Sequence, residues 1–520
     1  MRGFDIGEAD DDQKVRDRKS MQIGKRVSLM AALTCWLANG VAAAPPETLN
    51  GKDDGYRGIW YQNQPSHDEF AYKYSGGLGT YCAKHNPFAV YCPEVDKTFF
   101  CYGGATTEDS QQLIHMASYF DHKTGEVPQP TILLDKQTSD AHDNPIITVD
   151  RAGHVWIFST AHGRGRPSFV HRSDKPYSIE RFTRVEATYT DGEKTRPLDN
   201  FSYMQTWQNG AGSFYSFFTH YGDPAARTIM FMKSDDGANW SQWQRLAAIG
   251  EGHYQVSAVR GTRGASAFNY HPDGKGLNHR TNLYFVETRD GGATWQTASG
   301  ESLQLPLTDA ANPALVYDFQ SEGRLVYMKD LVFDSHDRPA ILVITSQGYN
   351  SGPESGPREW RLVRWDGQRW TQSVIAVSDS NYDMGSLYVE GDAWKLIAPT
   401  ATGPQAYNPG GEMCLWKSED DGVTWREARQ LTVDSPYNHT YARRPVNAHP
   451  DFYAFWADGN ARRPSESRLY FCNRDGDVFQ LPPVMTGPFA RPKRLVDGRQ
   501  PKSNATAARQ PVQTNVGTGF

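Results

Sequence analysis

Lys233-Ser-Asp-Asp-Gly-Ala-Asn-Trp240, Thr288-Arg-Asp-Gly-Gly-Ala-Thr-Trp295 and Ser418-Glu-Asp-Asp-Gly-Val-Thr-Trp425 are one eight-residue phrase written three times. Trp365-Asp-Gly-Gln-Arg-Trp370 is a worn copy. The chemistry is that of a staple across a hairpin. The aspartate accepts backbone and hydroxyl hydrogen bonds inside the turn, the glycine supplies a positive φ, and the tryptophan packs between neighbouring sheets. Around the phrase lie short strand-like runs at 146–149, 155–158, 228–232, 283–286, 340–345 and 362–364. Asp-Gly and Gly-Gly pairs punctuate them at 236–237, 291–292, 366–367, 421–422 and 475–476. Such pairs are hairpin signals, and long amphipathic helical stretches are missing, so the chain reads as all-β.

The phrase resembles the Asp box, or BNR repeat, Ser-x-Asp-x-Gly-x-Thr-Trp. That resemblance implies a β-propeller, with the boxes on the outer rim of the blades and away from any site. Successive tryptophans stand 55, 75 and 55 residues apart. At about 62 residues per repeat, a body of roughly 445 residues holds about seven blades. We therefore expect an all-β, seven-bladed β-propeller of four-stranded antiparallel blades, forming one domain over 53–498. A polar, aperiodic tail at 499–520 is expected to be disordered.

The remaining composition removes whole classes. Aromatics are 12% of the 520 residues, enough to bury, and the net charge of −6 is small, so the chain is not disordered. An acidic balance argues against phosphate neutralisation, hence against nucleic acid. Residues 1–43 read as an over-called leader followed by a secretory signal peptide. Met21 is the expected start, Lys25 and Arg26 form the basic region, an apolar run covers 27–41, and Ala42–Ala44 offer the cleavage site. This predicts a secreted or periplasmic chain with no membrane span after cleavage, and a monomer. Five cysteines remain (Cys82, Cys92, Cys101, Cys414, Cys472), an odd number at irregular spacing. Buried free thiols and one or two bridges, with the 82–101 group the first place for one, both remain open.

A propeller binds at its hub, where first strands of several blades converge, so site residues should be scattered and polar. His142, in His142-Asp-Asn-Pro145, and His162 stand 20 residues apart, one hairpin. Both strand ends would reach the same mouth. Tyr203 and Trp207 follow in an aromatic run, then Tyr221, and Arg227 leads a strand where its guanidinium could grip a carboxylate. Tyr270 and His271 precede another strand. His85, in Lys84-His-Asn-Pro87, echoes the phrase at 142 and is either a second hub histidine or a turn residue. GxSxG, P-loop, GxGxxG and HExxH motifs do not occur. His271 and His279 with a third ligand would suit zinc, though their spacing is not diagnostic, so the metal content is left unassigned.

At Gly55-Tyr-Arg-Gly-Ile-Trp60, Lys73-Tyr-Ser-Gly-Gly-Leu-Gly79, Phe99-Phe-Cys-Tyr-Gly-Gly104, His142-Asp-Asn-Pro145 and Arg280-Thr-Asn-Leu-Tyr-Phe285 the chain resembles BNR-repeat proteins related to ulvan lyases and rhamnose–glucuronate lyases. The resemblance implies a seven-bladed propeller that cleaves a uronic-acid polysaccharide by β-elimination. It assigns His142 and His162 to the histidine pair, Arg227 to the carboxylate clamp and Tyr270 to the last tyrosine. The first tyrosine is Tyr203, with Tyr215 and Tyr221 as alternatives. His85, His271, Trp207 and Tyr221 are the expected substrate-binding groups. The partner is an acidic polysaccharide. No cofactor is required; a bound Ca²⁺ or Zn²⁺ is compatible with the reading, Ca²⁺ either helping to hold the carboxylate or bracing a loop, and no sequence motif marks such a site. The rivals are a sialidase-like glycoside hydrolase and a non-catalytic carbohydrate-binding propeller. The first would call for an Arg-Ile-Pro phrase, and the chain offers only Tyr56-Arg-Gly.

Overall fold

The computed structural model describes residues 46–107, 110–222 and 225–500. The leader read at 1–43 and residues 501–520 of the tail lie outside them. Among the described residues there is no α-helix, only two short 3₁₀ turns, and no helix is long and apolar enough to cross a membrane.

Seven sheets of four or more strands follow one another in chain order. Their first strands are Ala89–Cys92, Pro145–Val149, Ser202–Gln208, Gln255–Arg260, Leu325–Phe333, Ser386–Glu390 and Asn438–Arg443. Strands within each sheet pair antiparallel in sequence, apart from one short parallel pair between Thr188–Asp191 and Asn239–Trp240. The last sheet meets the first: Tyr91 N–H donates to the Val446 carbonyl at 2.9 Å, and Val446 N–H to Ala89 at 2.9 Å. Phe100 and Phe120 pack on Phe452 and Phe471 across that seam.

Four sheets have the expected four strands. The first gains Thr48–Lys52 at its edge, the seventh gains Lys493–Arg494, and the third takes in the hairpin Thr188–Asp191/Lys194–Pro197. The body thus begins before residue 53. It also reaches beyond 498, where Arg499 pairs with Asp434 and Gln500 donates to the Tyr470 hydroxyl.

The stapling phrase folds as its chemistry dictates. Asp420 accepts from the Thr424 N–H at 2.9 Å and hydroxyl at 2.6 Å, and Asp290 does the same with Thr294. Gly422 has φ 79°, and a Cβ there would stand 2.5 Å from Leu362. The first copy is displaced by one residue. Lys233 has no hydroxyl to offer, so Ser234 and Asp236 take the structural roles, and Asp235 instead accepts from Ser213. Trp240 packs against Phe158 of the sheet before it and Phe214 of its own. Middle strands such as Pro339–Ser346 are buried on both faces because a sheet lies on either side. All five cysteines are buried free thiols.

Candidate active site

The phrase Asp140-Ala-His-Asp-Asn-Pro145 assembles one end of the hub. Asp140 caps the 3₁₀ turn Ala141–Asp143 by accepting from the His142 N–H, which is how an aspartate two residues earlier fixes the ring that follows. Asn144 donates to the carbonyls of Leu78 and Tyr81, at 2.8 and 2.7 Å, and so pins the 78–81 turn over His142. Gly103 must be glycine there, since a Cβ would collide with the Asn144 side chain.

The result is a directed chain of hydrogen bonds. His142 Nδ1 bonds Asp140 Oδ1 at 2.5 Å, and Nε2 meets the Tyr81 hydroxyl at 2.7 Å and the Tyr74 hydroxyl at 3.1 Å. His162 Nδ1 takes the other Asp140 oxygen at 2.8 Å, and the two imidazoles stack with centroids 4.0 Å apart. Arg166 binds both Asp140 and Asp143. Burial works against charge on Asp140, yet the His142 and His162 contacts hold its carboxyl well below the ordinary range. Burial, then His162, push His142 below its usual value despite Asp140, which favours a neutral ring with Nδ1–H on the carboxylate and an Nε2 lone pair that accepts from the Tyr81 hydroxyl.

Tyrosines wall the pocket. Tyr74, Tyr81, Tyr203, Tyr254, Tyr327, Tyr382 and Tyr441 line the pocket with His142. Burial, chiefly, raises the hydroxyls of Tyr74, Tyr81, Tyr203 and Tyr441 well above their ordinary values, so they stay protonated. Tyr203 and Tyr441 have φ of 49° and 54°, at bulges that interrupt Ser202–Gln208 and Asn438–Arg443. An aromatic residue held there costs of order 1–3 kcal/mol, and such strain concentrates at functional sites.

The pocket is cationic. Lys73, Lys84, Arg280 and Lys329 line it, and no aspartate or glutamate does so among the described residues. Arg280 lies over Tyr254 at 4.5 Å and Tyr327 at 4.7 Å, and its buried Nε has no hydrogen-bond partner among the described residues. Burial, then Lys329, drive Lys84 well below the usual amine value; burial brings Lys329 to about 7 against the pull of Asp383. Arg227 also lies against Tyr254, 5.3 Å from its ring and 5.2 Å from that of Tyr221. Arg280, buried with its Nε unsatisfied among the described residues, carries a cost that an anionic ligand would relieve.

Of the expected residues, the hub brings together His142, His162, Tyr203, Tyr221 and Arg227. His85 lies beneath them, fully buried, 6.0 Å from the Tyr203 ring. His271 backs Tyr254 and is bonded to the Gly252 carbonyl. Tyr270 is elsewhere: its ring packs on Tyr284 in an apolar cluster and its hydroxyl bonds Gln320. Tyr215 is likewise in that core, against Phe231. Trp207 lies four residues further along its strand than Tyr203, roughly 13 Å at strand rise, and lines a second cavity with Arg260 and Arg444. His279 bonds the Lys275 carbonyl, and no cluster of three ligands joins it to His271 among the described residues. Sequence reasoning missed Asp140, Tyr74, Tyr81, Tyr254 and Lys329. Asp140 was legible as the turn cap two residues before His142. The tyrosines belong to turns whose direction only the packing decides.

These features define a repeat-built all-β protein with a cationic, tyrosine-walled hub. The family description "BNR repeat-containing family member" matches residues 102–378, and the chain belongs to that family. It is 25% identical over 441 residues to an ulvan lyase of Nonlabens ulvanivorans, covering 75% of this chain and 86% of that one. It is 23% identical over 376 residues to an ulvan lyase of Alteromonas sp. (strain LOR), covering 65% and 73%. A solved PL25 ulvan lyase bound to -[GlcA(1-4)Rha3S]- superposes with a TM-score of 0.62 at 16% identity, over 82% of this chain and 96% of that one. That likeness is one of fold.

Proposed function

We propose that the seven sheets are the blades of a closed β-propeller and that the chain is a polysaccharide lyase acting on a 4-linked uronate polymer of the ulvan kind. The observation that carries this reading is the pocket lining: four basic side chains, seven tyrosines and a histidine, with no carboxylate among the described residues. A glycoside hydrolase of the common kinds needs two carboxyl groups flanking the bond it cuts. An elimination needs a cation for the substrate carboxylate, a base for the C5 proton and an acid for the leaving O4.

The roles follow from protonation. Arg280 and Arg227, both against the Tyr254 ring, with Lys84 and Lys329 near Arg280, pair the uronate carboxylate and stabilise the enolate-like charge that grows when C5 loses its proton. Neutral His142 accepts that proton at Nε2, and Asp140 stabilises the imidazolium. Tyr203 gives its proton to O4. The C5–H and C4–O4 bonds break, C4=C5 forms, and the proton on His142 returns to the tyrosinate, so the protein ends as it began. Tyr81 and Tyr74 orient Nε2, and His162 holds the second Asp140 oxygen. The leader at 1–43 fits an enzyme that meets its polymer outside the cytoplasm.

The test is a panel of uronans read by the ultraviolet absorbance of the conjugated uronate that an elimination leaves. Absorbance growing with an ulvan-type polymer is the expected result. Silence across the panel together with release of a sialoside reporter would assign the pocket to the hydrolase rival, and binding without any cleavage to the non-catalytic one.

A further inference from the structure

A second aspartate–histidine–histidine cluster lies away from the hub, on the seam where the first and last sheets meet. Asp96 sits in the turn between Ala89–Cys92 and Lys97–Gly104, with φ 55°. His122 follows the strand Ile114–Asp121, and His449 lies between Asn438–Arg443 and Ala454–Gly459 of the last sheet. The three offer ligand atoms within 4.8 Å of one another, and the two imidazole centroids are 3.8 Å apart.

Their surroundings are those of a prepared metal site. His122 Nε2 bonds the Thr98 hydroxyl at 2.8 Å, leaving Nδ1 buried and with no hydrogen-bond partner among the described residues. A ring nitrogen tied to a fixed partner while the other keeps its free pair is the usual preparation of a ligating histidine. Tyr91 lies against both rings, at 5.3 and 4.8 Å, and donates its hydroxyl to Asp96 at 3.1 Å. His449 Nδ1 accepts from the Asp451 N–H at 3.1 Å, a bond that a metal at this nitrogen would replace, and the Asp451 carboxylate is 3.8 Å from the same nitrogen. The charged groups facing His122 are His449 and the acids Asp96, Asp451 and Asp121. The hub cluster differs on this point: both Asp140 oxygens are taken by imidazole N–H groups, and Arg166 adds a fixed positive charge that opposes a cation.

We propose that Asp96, His122 and His449 bind a divalent transition-metal ion, Zn²⁺ by preference, and that the ion clamps the last sheet to the first. Two imidazoles and one carboxylate suit zinc and leave the fourth tetrahedral position to water. Calcium and magnesium ask for oxygen donors throughout. The clamp closes a loop of roughly 330 residues, and long loops are where a metal link constrains the unfolded chain most. It does for the seam what a disulfide would do, in a chain whose five described cysteines are all free. This inference stands apart from the lyase reading.

The experiment uses the full chain, stripped with chelator and titrated with Zn²⁺ alone, with metal content, calorimetry and melting temperature as readouts. The variants are His122→Ala, His449→Ala and Asp96→Asn at the seam, with His162→Ala at the hub as control. Asp96→Asn keeps a residue that tolerates positive φ and so guards against a folding artefact. Wild type and the His162→Ala control are expected to hold one Zn²⁺ per chain and to melt higher with it. In the seam variants affinity falls more than ~100-fold, beyond the 10–100-fold that outer partners cost, and zinc no longer raises the melting temperature. Three results overturn the proposal: no zinc retained by wild type, zinc binding lost in His162→Ala but not at the seam, or binding that none of the variants changes.

Discussion

Asp140–His142–His162 and Asp96–His122–His449 are two clusters of the same three side chains with opposite surroundings. The first faces a pocket lined by cations and tyrosines, and its aspartate is saturated by two imidazoles and Arg166. The second lies on the seam among acids, with one ring nitrogen left over. Residue types therefore decide little by themselves. What decides is whether the carboxylate is saturated by N–H donors, which suits a proton-handling group, or stands among other acids beside an unpartnered ring nitrogen, the setting we propose for a cation.

The largest expected effect breaks the two clusters apart. His142→Ala lowers kcat/KM on the uronan by ~10²–10⁴-fold, the range for a positioned acid–base group, whereas His122→Ala changes it less than about twofold by the same measure. Equal losses in both would erase the distinction. Next come the two guanidiniums. Arg280→Met and Arg227→Met should each cost about 2.7–4 kcal/mol of transition-state stabilisation, read as kcat/KM with folding checked by circular dichroism. A loss in one and none in the other would identify a single clamp.

A third effect concerns acid. Burial brings His253 and His439 down to about 4, and His142 is also lowered. Their folded values lie below the unfolded 6.5, so the unfolded chain binds more protons between the two. Stability is thus full above 6.5 and is lost as pH falls towards 4, by up to ~3 kcal/mol for each of His253 and His439. Urea titrations across that window should show the midpoint falling with pH; a flat midpoint would mean these rings are not buried neutral. Smaller still is a shift in binding. Burial brings Lys329 down to about 7, so uronan affinity should weaken as pH rises through neutrality, with proton uptake on binding seen in two buffers of different ionisation heat.

The stapling phrase made the all-β class legible, because Asp, Gly and Trp at those spacings satisfy a local turn whatever surrounds it. Its first copy slipped by one residue for an equally local reason, the missing hydroxyl of Lys233. The hub was half legible. His142 and His162 flank a hairpin, Pro145–Val149 with Val155–Ser159, so counting brought them together. Tyr270 defeated the same reasoning, since the register shift between Phe268 and Tyr270 belongs to backbone pairing and leaves no mark on composition. Tyr81 and Lys329 come to the hub from segments about 250 residues apart, and Trp207 leaves it by standing at the wrong end of the right strand.

The most direct test of the hub is the mass of its products. Incubated with a glucuronate–rhamnose 3-sulfate polymer and analysed by mass spectrometry, the protein should release oligosaccharides that have gained no water and carry an unsaturated uronate at the non-reducing end, with none from His142→Ala. Fragments each heavier by one water, or an intact polymer that still binds, would contradict the account.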